Sequence, residues 1–322
     1  MPAKQFNMRI KMFLLLITLL PFALLTACST GDDPVTLKLA LLPIMDTLPA
    51  HVAQEQGYFA DENLTVEFLP VGSAADRDQL IKSGQADGMV TEWRSTMVFT
   101  RAAPEVITVR YARKATPEFP HFYVLAAAGS GITNADDLID QEVGISEGTI
   151  IEYSTDRLLQ EAGLREGDYE TIAVPRIPDR LALLGSGELA AANMPDPAAA
   201  LAIQNGAAII VDDSAYPQYG HSVYTFRKAL LDQNPDAVRG FLRAIERAVD
   251  DINNDKSRWS ELLSENDLVP PPLLGTYTVP DFPEAGLPSE EQWNDMQQWA
   301  LSKGYITNDL DYNSSVDSSY LP

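Results

Sequence analysis

The chain has 322 residues, 45% of them apolar and 21% charged, and a formal net charge of −23. The apolar fraction fits a folded globular protein, and the acidic excess repels phosphate backbones and anionic head groups, which excludes nucleic-acid binding. Three histidines and one cysteine, with no histidine pair at metal-ligand spacing, point away from a metal centre, and no cofactor is expected.

At the N-terminus, Lys4, Arg9 and Lys11 precede an apolar run from Met12 to Leu25. The run falls short of the ~20 residues of a comfortable membrane span and has the form of a secretory signal. It ends in Leu25-Thr26-Ala27-Cys28, which resembles a bacterial lipobox, where the cysteine is acylated and the chain is cut before it. Cys28 is the only cysteine and has no intramolecular disulfide partner, so a dedicated chemistry fits it. Residues 1–27 therefore read as a signal peptide, 28–34 as a small, polar tether, and the mature protein as lipid-anchored outside the cytoplasmic membrane, at the cell surface or the periplasmic face.

Structured sequence begins with Leu37 to Leu42, a short buried strand, and Pro43 to Pro49 reads as a loop into a helix that Gly57 stops. Leu64 to Phe68 alternates as a strand, and Ser73 can cap a helix through Ile81. Gly88 to Val90 is a third strand, with a helix from Trp93. The same rhythm returns with Val143 to Ile145, a helix opening at Ser146 to Thr149, extended Tyr169 to Val174, helical Pro178 to Leu184, and a strand from Leu189 to Asn193. Pro195 to Asn205 is helical and Ala207 to Val211 a last strand, while Tyr123–Leu125 and Val223–Phe226 read as crossing strands. Two βαβ rhythms argue for mainly parallel sheets flanked by helices. Beyond them, Val238, Phe241, Leu242, Ile245, Val249 and Ile252 form a helical stripe, with Asn234 as cap and Pro235 at its first position. A second helix carries Trp293, Met296 and Ala300.

The segment Leu39 to Phe68, with its Gly57-Tyr58-Phe59 and the acidic pair after it, resembles the opening of the nitrate/sulfonate/taurine and thiamine-pyrimidine class of ABC substrate-binding proteins. Gly84 to Gly88, Asn134 to Leu138 and the helix Asn234 to Asn253 are similar to further stretches of that class. The resemblance implies an α/β, two-lobed, type II periplasmic-binding-protein fold that closes around its ligand. The first lobe would comprise residues 35–120 plus 223–322 and the second 121–222. It also implies a monomer that binds a small molecule, delivers it to ABC permease and ATPase subunits, and does no catalysis. The alternative class is an enzyme of pyrimidine biosynthesis on the same fold, which relies on cysteine and histidine features missing here.

Ligands of open α/β sheets sit beyond the carboxyl ends of the strands, which selects Asp46, Thr47, Ser73, Glu92, Trp93, Ser146, Gly148, Thr149 and Asp196 as candidate ligand contacts. Ser73 and Ser146 to Thr149 stand at helix starts, where backbone N–H groups bind acceptors, or simply cap. Trp93 offers a ring to stack on a flat ligand, or an anchor for its own helix. Asp46 and Asp196 contact the ligand or cap the helices after them, and Arg77, between Asp76 and Asp78, reads as part of a solvated face. His51, in mid-helix, reads as structural. Acids at these strand ends (Asp46, Glu92, Glu147, Asp196) outnumber Arg94. That predicts a neutral or cationic nitrogen-rich heterocycle such as a thiamine pyrimidine precursor, with sulfonate, taurine or nitrate as the alternative.

Overall fold

Two five-stranded sheets share one strand plan. In the computed structural model, which describes residues 33–103 and 105–322, the first sheet runs β2 (Leu64–Pro70), β1 (Val35–Leu41), β3 (Gly88–Thr91), β10 (His221–Arg227), β4 (Val106–Lys114). The second runs β7 (Glu170–Ala173), β6 (Glu142–Ile145), β8 (Ala191–Pro195), β5 (Phe122–Ala126), β9 (Ala208–Asp212). The protein is thus an α/β molecule of two lobes. Residues 1–27 and Cys28, the expected signal and anchor, lie outside the described residues.

In each sheet the first strands pair in parallel, β1 with β2 and β3, and β6 with β7 and β8. One antiparallel strand is then inserted: β10 against β3 and β4, and β5 against β8 and β9. These two are the crossing strands expected at Val223–Phe226 and Tyr123–Leu125. The approach of β10 to β3 is close enough to demand glycine. A Cβ on Gly88 would lie 2.6 Å from the Phe226 ring.

Around the first sheet lie α1 (Leu48–Glu55), α2 (Tyr58–Asp61), α3 (Ala74–Lys82) and α4 (Trp93–Thr100), then α8 (Lys228–Gln233), α9 (Pro235–Asn254), α10 (Ser260–Glu265) and α11 (Glu290–Ser302). Around the second lie α5 (Ile150–Glu161), α6 (Ile177–Ser186) and α7 (Ala198–Gln204). Gly57, at φ 76°, makes the left-handed turn between α1 and α2 that ordinary residues resist. The predicted stripe of α9 is buried along its length, and Phe241 stacks on Phe59 while its edge meets Tyr224 and Phe226. Asn234 stands at the start of α9 as expected, but its side chain makes no capping hydrogen bond. Pro235 leaves one fewer N–H to satisfy in the first turn, because its nitrogen carries no proton.

The chain passes between the sheets twice, from β4 to β5 and from β9 to β10, and both passages meet at one carboxylate. Asp213, fully buried, accepts the N–H groups of His121 at 2.7 Å and Phe122 at 3.2 Å. Gly220, at the far end of the passage that carries Asp213, packs against it, and a Cβ there would stand 1.8 Å from Asp213 Oδ2. Burial pushes the Asp213 carboxyl up to about 6. An apolar cluster also bridges the lobes, joining Trp93 and Met97 of α4, Tyr153 and Leu158 of α5, and Trp293 and Trp299 of α11.

Candidate ligand-binding cleft

A cavity of ≈ 90 Å³ lies where strand ends of both sheets converge. Parallel strands bring their carboxyl ends to it: Leu42 and Asp46 after β1, Thr91 and Glu92 at β3, Ser146 and Thr149 after β6, Pro195 and Asp196 at β8. The antiparallel strands bring their amino ends, because Val223 of β10 pairs with Thr91 and Phe122 of β5 pairs with Pro195. His221 and Ser222 thus face the cavity from one sheet, and His121 and Phe122 from the other.

The acids of the wall are already matched by cations. Asp46 Oδ1 lies 3.3 Å from His121 Nε2 and 3.7 Å from Arg113 Nη1. Burial alone would raise its pKa, but His121 and Arg113 outweigh burial and hold the carboxyl well below the usual carboxylate range. Asp196 Oδ2 accepts from Arg113 Nη2 at 2.8 Å and from the Tyr277 hydroxyl. Arg113 belongs to β4 and Asp196 follows β8, so this pair spans the two lobes. Glu92 caps α4, accepting the Ser95 N–H at 3.1 Å and the Ser95 hydroxyl at 2.8 Å. Burial raises its pKa against the pull of Arg77, whose Nη2 is 3.7 Å away.

Of the nine expected contacts, Asp46, Glu92, Ser146, Thr149 and Asp196 line the cavity; Thr47, Ser73, Trp93 and Gly148 do not. Thr47 is buried and donates its hydroxyl to Ile44 C=O at 2.8 Å. Ser73 caps α3, accepting the Asp76 N–H at 3.2 Å. Trp93 stands behind the wall with its edge-on neighbours His221, Trp293 and Tyr312. Gly148 adopts φ +65° beneath Arg94, and its N–H donates to Glu152 at 2.6 Å. Neither Asp46 nor Asp196 caps a helix: Asp46 sits inside a 3₁₀ turn and Pro197 occupies the cap position of α7. Arg77 is no solvated face; it is 4% exposed and bound to Asp78, Glu92 and Ser95. Glu147 points to solvent. His51 is half-buried against the edge of Phe68.

Strand-end reasoning missed Arg180, His121, His221 and Ser222, which join Thr91 of the third strand end on the wall. The histidines and Ser222 precede or open antiparallel strands, whose cleft ends are their beginnings, so the carboxyl-end rule passes over them. Among the described residues, Thr91 Oγ1, His121 Nδ1 and Arg180 Nη2 are buried without a hydrogen bond, while Ser222 stands toward the Asp46 carboxylate and His221 toward the Gln218 backbone. Arg180 gives its other donors to Asn193 C=O at 2.8 Å and Val174 C=O at 2.6 Å. Burial brings its pKa down to about 10.

Burial also depresses His221 to about 3 and His51 to about 4, from 6.5. With folded pKa values below the unfolded value, the unfolded chain takes up protons first. The stability these neutral imidazoles contribute is complete above pH 6.5 and is lost as pH falls toward 4 and 3. Asp213, between about 6 and 3.8, and Glu92, also raised by burial, act oppositely, so the histidine contribution is read from the difference between the wild type and a variant that lacks one. The melting temperature is expected to fall from pH 7 to pH 4.5, and less steeply in His221→Asn; parallel profiles for the two proteins would refute this assignment.

A family model described as NMT1/THI5 like matches residues 45–257, well over half of the chain. The chain belongs to the NMT1/THI5-like family. No curated protein matches its sequence. Among solved structures, it is similar to the periplasmic aliphatic sulphonate binding protein SsuA from Escherichia coli, with TM-score 0.73, 18% identity, and coverage of 88% of this chain and 92% of that one. It is also similar to the periplasmic nitrate-binding protein NrtA from Synechocystis PCC 6803, with TM-score 0.69, 17% identity, and coverage of 89% and 87%. The desulfurization enzyme DSZB gives TM-score 0.67 at 16% identity, with coverage of 89% and 97%. At such identities the likeness is one of fold, and the fold carries binding proteins and an enzyme alike.

Proposed function

We propose that this protein is the solute-binding component of an ABC importer, anchored outside the cytoplasmic membrane through lipid on Cys28, and that its cargo is a small neutral heterocycle of the aminopyrimidine kind. The observation that carries this reading is the set of buried polar groups with spare hydrogen-bonding capacity that both lobes contribute to one cavity: Thr91, Ser222 and His221 from the first sheet, His121 and Arg180 from the second lobe. The hydroxyls and the neutral imidazole of His221 each donate and accept, which suits a ring bearing both amino groups and ring nitrogens. A cationic cargo is less well served, because Asp46, Glu92 and Asp196 already face Arg113 and Arg77. Family membership and the fold supply the importer context; residues 1–27 and Cys28 supply the export signal and anchor.

Calorimetry or thermal shift with 4-amino-2-methylpyrimidines, alkanesulfonates and nitrate tests the reading. A pyrimidine is expected to bind, to raise the melting temperature as mass action requires, and to return chemically unchanged. Thr91→Val with Ser222→Ala should weaken it tenfold or more, since each lost partner leaves a buried group unmet at ~1–3 kcal/mol. Conversion of the bound compound would instead place the protein with the enzymes of this fold. A second reading, an anionic cargo, is favoured by Arg180, a guanidinium on the wall that forms no ion pair among the described residues. Binding of a sulfonate that Arg180→Gln abolishes would select it.

A further inference from the structure

Beside the inner cavity, across Leu42, Ile44, Ile177 and Pro195, lies a second, larger chamber of ≈ 440 Å³. Those residues and Asp196 line both spaces, so the two adjoin across a shared wall. Inside, ≈ 90 Å³ is lined by the Thr91 and Ser222 hydroxyls, the two imidazoles and Arg180. Outside, the wall is apolar, and six of its residues are prolines, Pro43, Pro178, Pro195, Pro197, Pro270 and Pro271. Proline has no N–H, and its ring fixes the backbone. Such a wall is pre-shaped and poor in donors. Its charged members are otherwise engaged or at the rim: Arg176 pairs with Asp179 at 3.6 Å, Asp196 with Arg113, and Asp267 is exposed.

We propose that the outer chamber is a subsite for an apolar substituent of the cargo, so that the molecule carried is a small polar head bearing an alkyl or aryl group. This rests on the solute-binding reading and adds the chemistry of the second half of the ligand. The inner space alone is smaller than the ≈ 300–1,000 Å³ of ordinary small-molecule sites, and the outer one brings the total into that range. Walls drawn from both lobes, Leu42 and Ile44 on one and Ile177 and Leu181 on the other, close on the substituent as the head is gripped. A phosphate or sugar on the head is discriminated against, because its hydrogen-bonding groups would be stripped of water with few partners in exchange.

The experiment is calorimetric titration of two series, 4-amino-2-methylpyrimidines with 5-substituents from methyl to butyl plus 5-hydroxymethyl and 5-phosphomethyl, and n-alkanesulfonates from methane to hexane. In whichever series the head binds, affinity is expected to rise about fourfold per added methylene, and the phosphomethyl compound to bind at least tenfold more weakly than its propyl counterpart. In Leu181→Gln the gradient flattens. A flat or falling gradient in the wild type overturns the subsite while leaving the head's binding, and so the solute-binding reading, intact. Should neither head bind, that choice of head fails separately, and the apolar dye N-phenyl-1-naphthylamine decides the subsite. Saturable fluorescence enhancement lost in Leu181→Gln supports it, and no saturable enhancement overturns it.

Discussion

Arg113→Met is expected to lower the unfolding free energy by about 3–5 kcal/mol, the usual result of removing one partner from a buried charge pair. The guanidinium is 1% exposed and stands between two carboxylates, 2.8 Å from Asp196 Oδ2 and 3.7 Å from Asp46 Oδ1. Both acids are themselves buried, at 8% and 2% exposure, so the variant strands charge and not merely volume. Burial penalises the Arg113 cation, yet Asp196 and then Asp46 keep its pKa raised above the ordinary arginine value. Urea denaturation checks the prediction. Arg113→Met combined with Asp196→Asn should recover part of the loss, because one stranded carboxylate is gone, whereas Arg113→Lys should not reproduce the two-pronged contact. A loss below about 1 kcal/mol in the single variant would mean that water reaches the pair. Since Arg113 and Asp196 come from different sheets, ligand-free Arg113→Met should also show a larger radius of gyration in scattering.

This network explains which parts of the site could be read from sequence. The strand rhythm was legible because buried parallel strands and an amphipathic helix each leave a periodic signature, as in Leu37 to Leu41 or the Val238 to Ile252 stripe. Asp46, Glu92 and Asp196 were legible as positions because they follow strands that end at the cleft. Their role was not. A carboxylate's partner lies far away in sequence, 83 residues in the case of Arg113 and Asp196, and no local pattern announces it. Counting acids at strand ends therefore suggested an uncompensated negative wall, where the folded chain has pairs. Arg77 was misjudged for the same reason in miniature. Its neighbours Asp76 and Asp78 look like a solvated face, yet the side chain turns inward to Glu92 and Ser95. The antiparallel insertions β5 and β10 hid His121 and His221, which a rule stated for both strand directions would find.

Trp93 was the residue whose two readings differed most, and its truncation separates them by a large effect. It is fully buried, with its ring centre 5.1 Å from Trp293, 5.3 Å from His221 and 6.0 Å from Tyr312, all edge-on. Edge-to-face pairs of this kind add to the area they bury, and Trp→Ala at such a site costs ~3–5 kcal/mol because the void refills only in part. The void would open between α4 and α11, in the apolar cluster that joins the two lobes. Trp93→Ala is therefore expected to unfold at markedly lower urea concentration, with Trp93→Phe intermediate. The cargo's affinity, measured on the folded fraction at low temperature, should change by less than tenfold, since Trp93 reaches the cavity only through His221. A ring that stacked on the ligand would give the reverse: near-normal stability, a loss of binding beyond a hundredfold in Trp93→Ala, and partial retention in Trp93→Phe. That outcome would move Trp93 from the core onto the cavity wall and would require the α4–α11 packing to be different in solution.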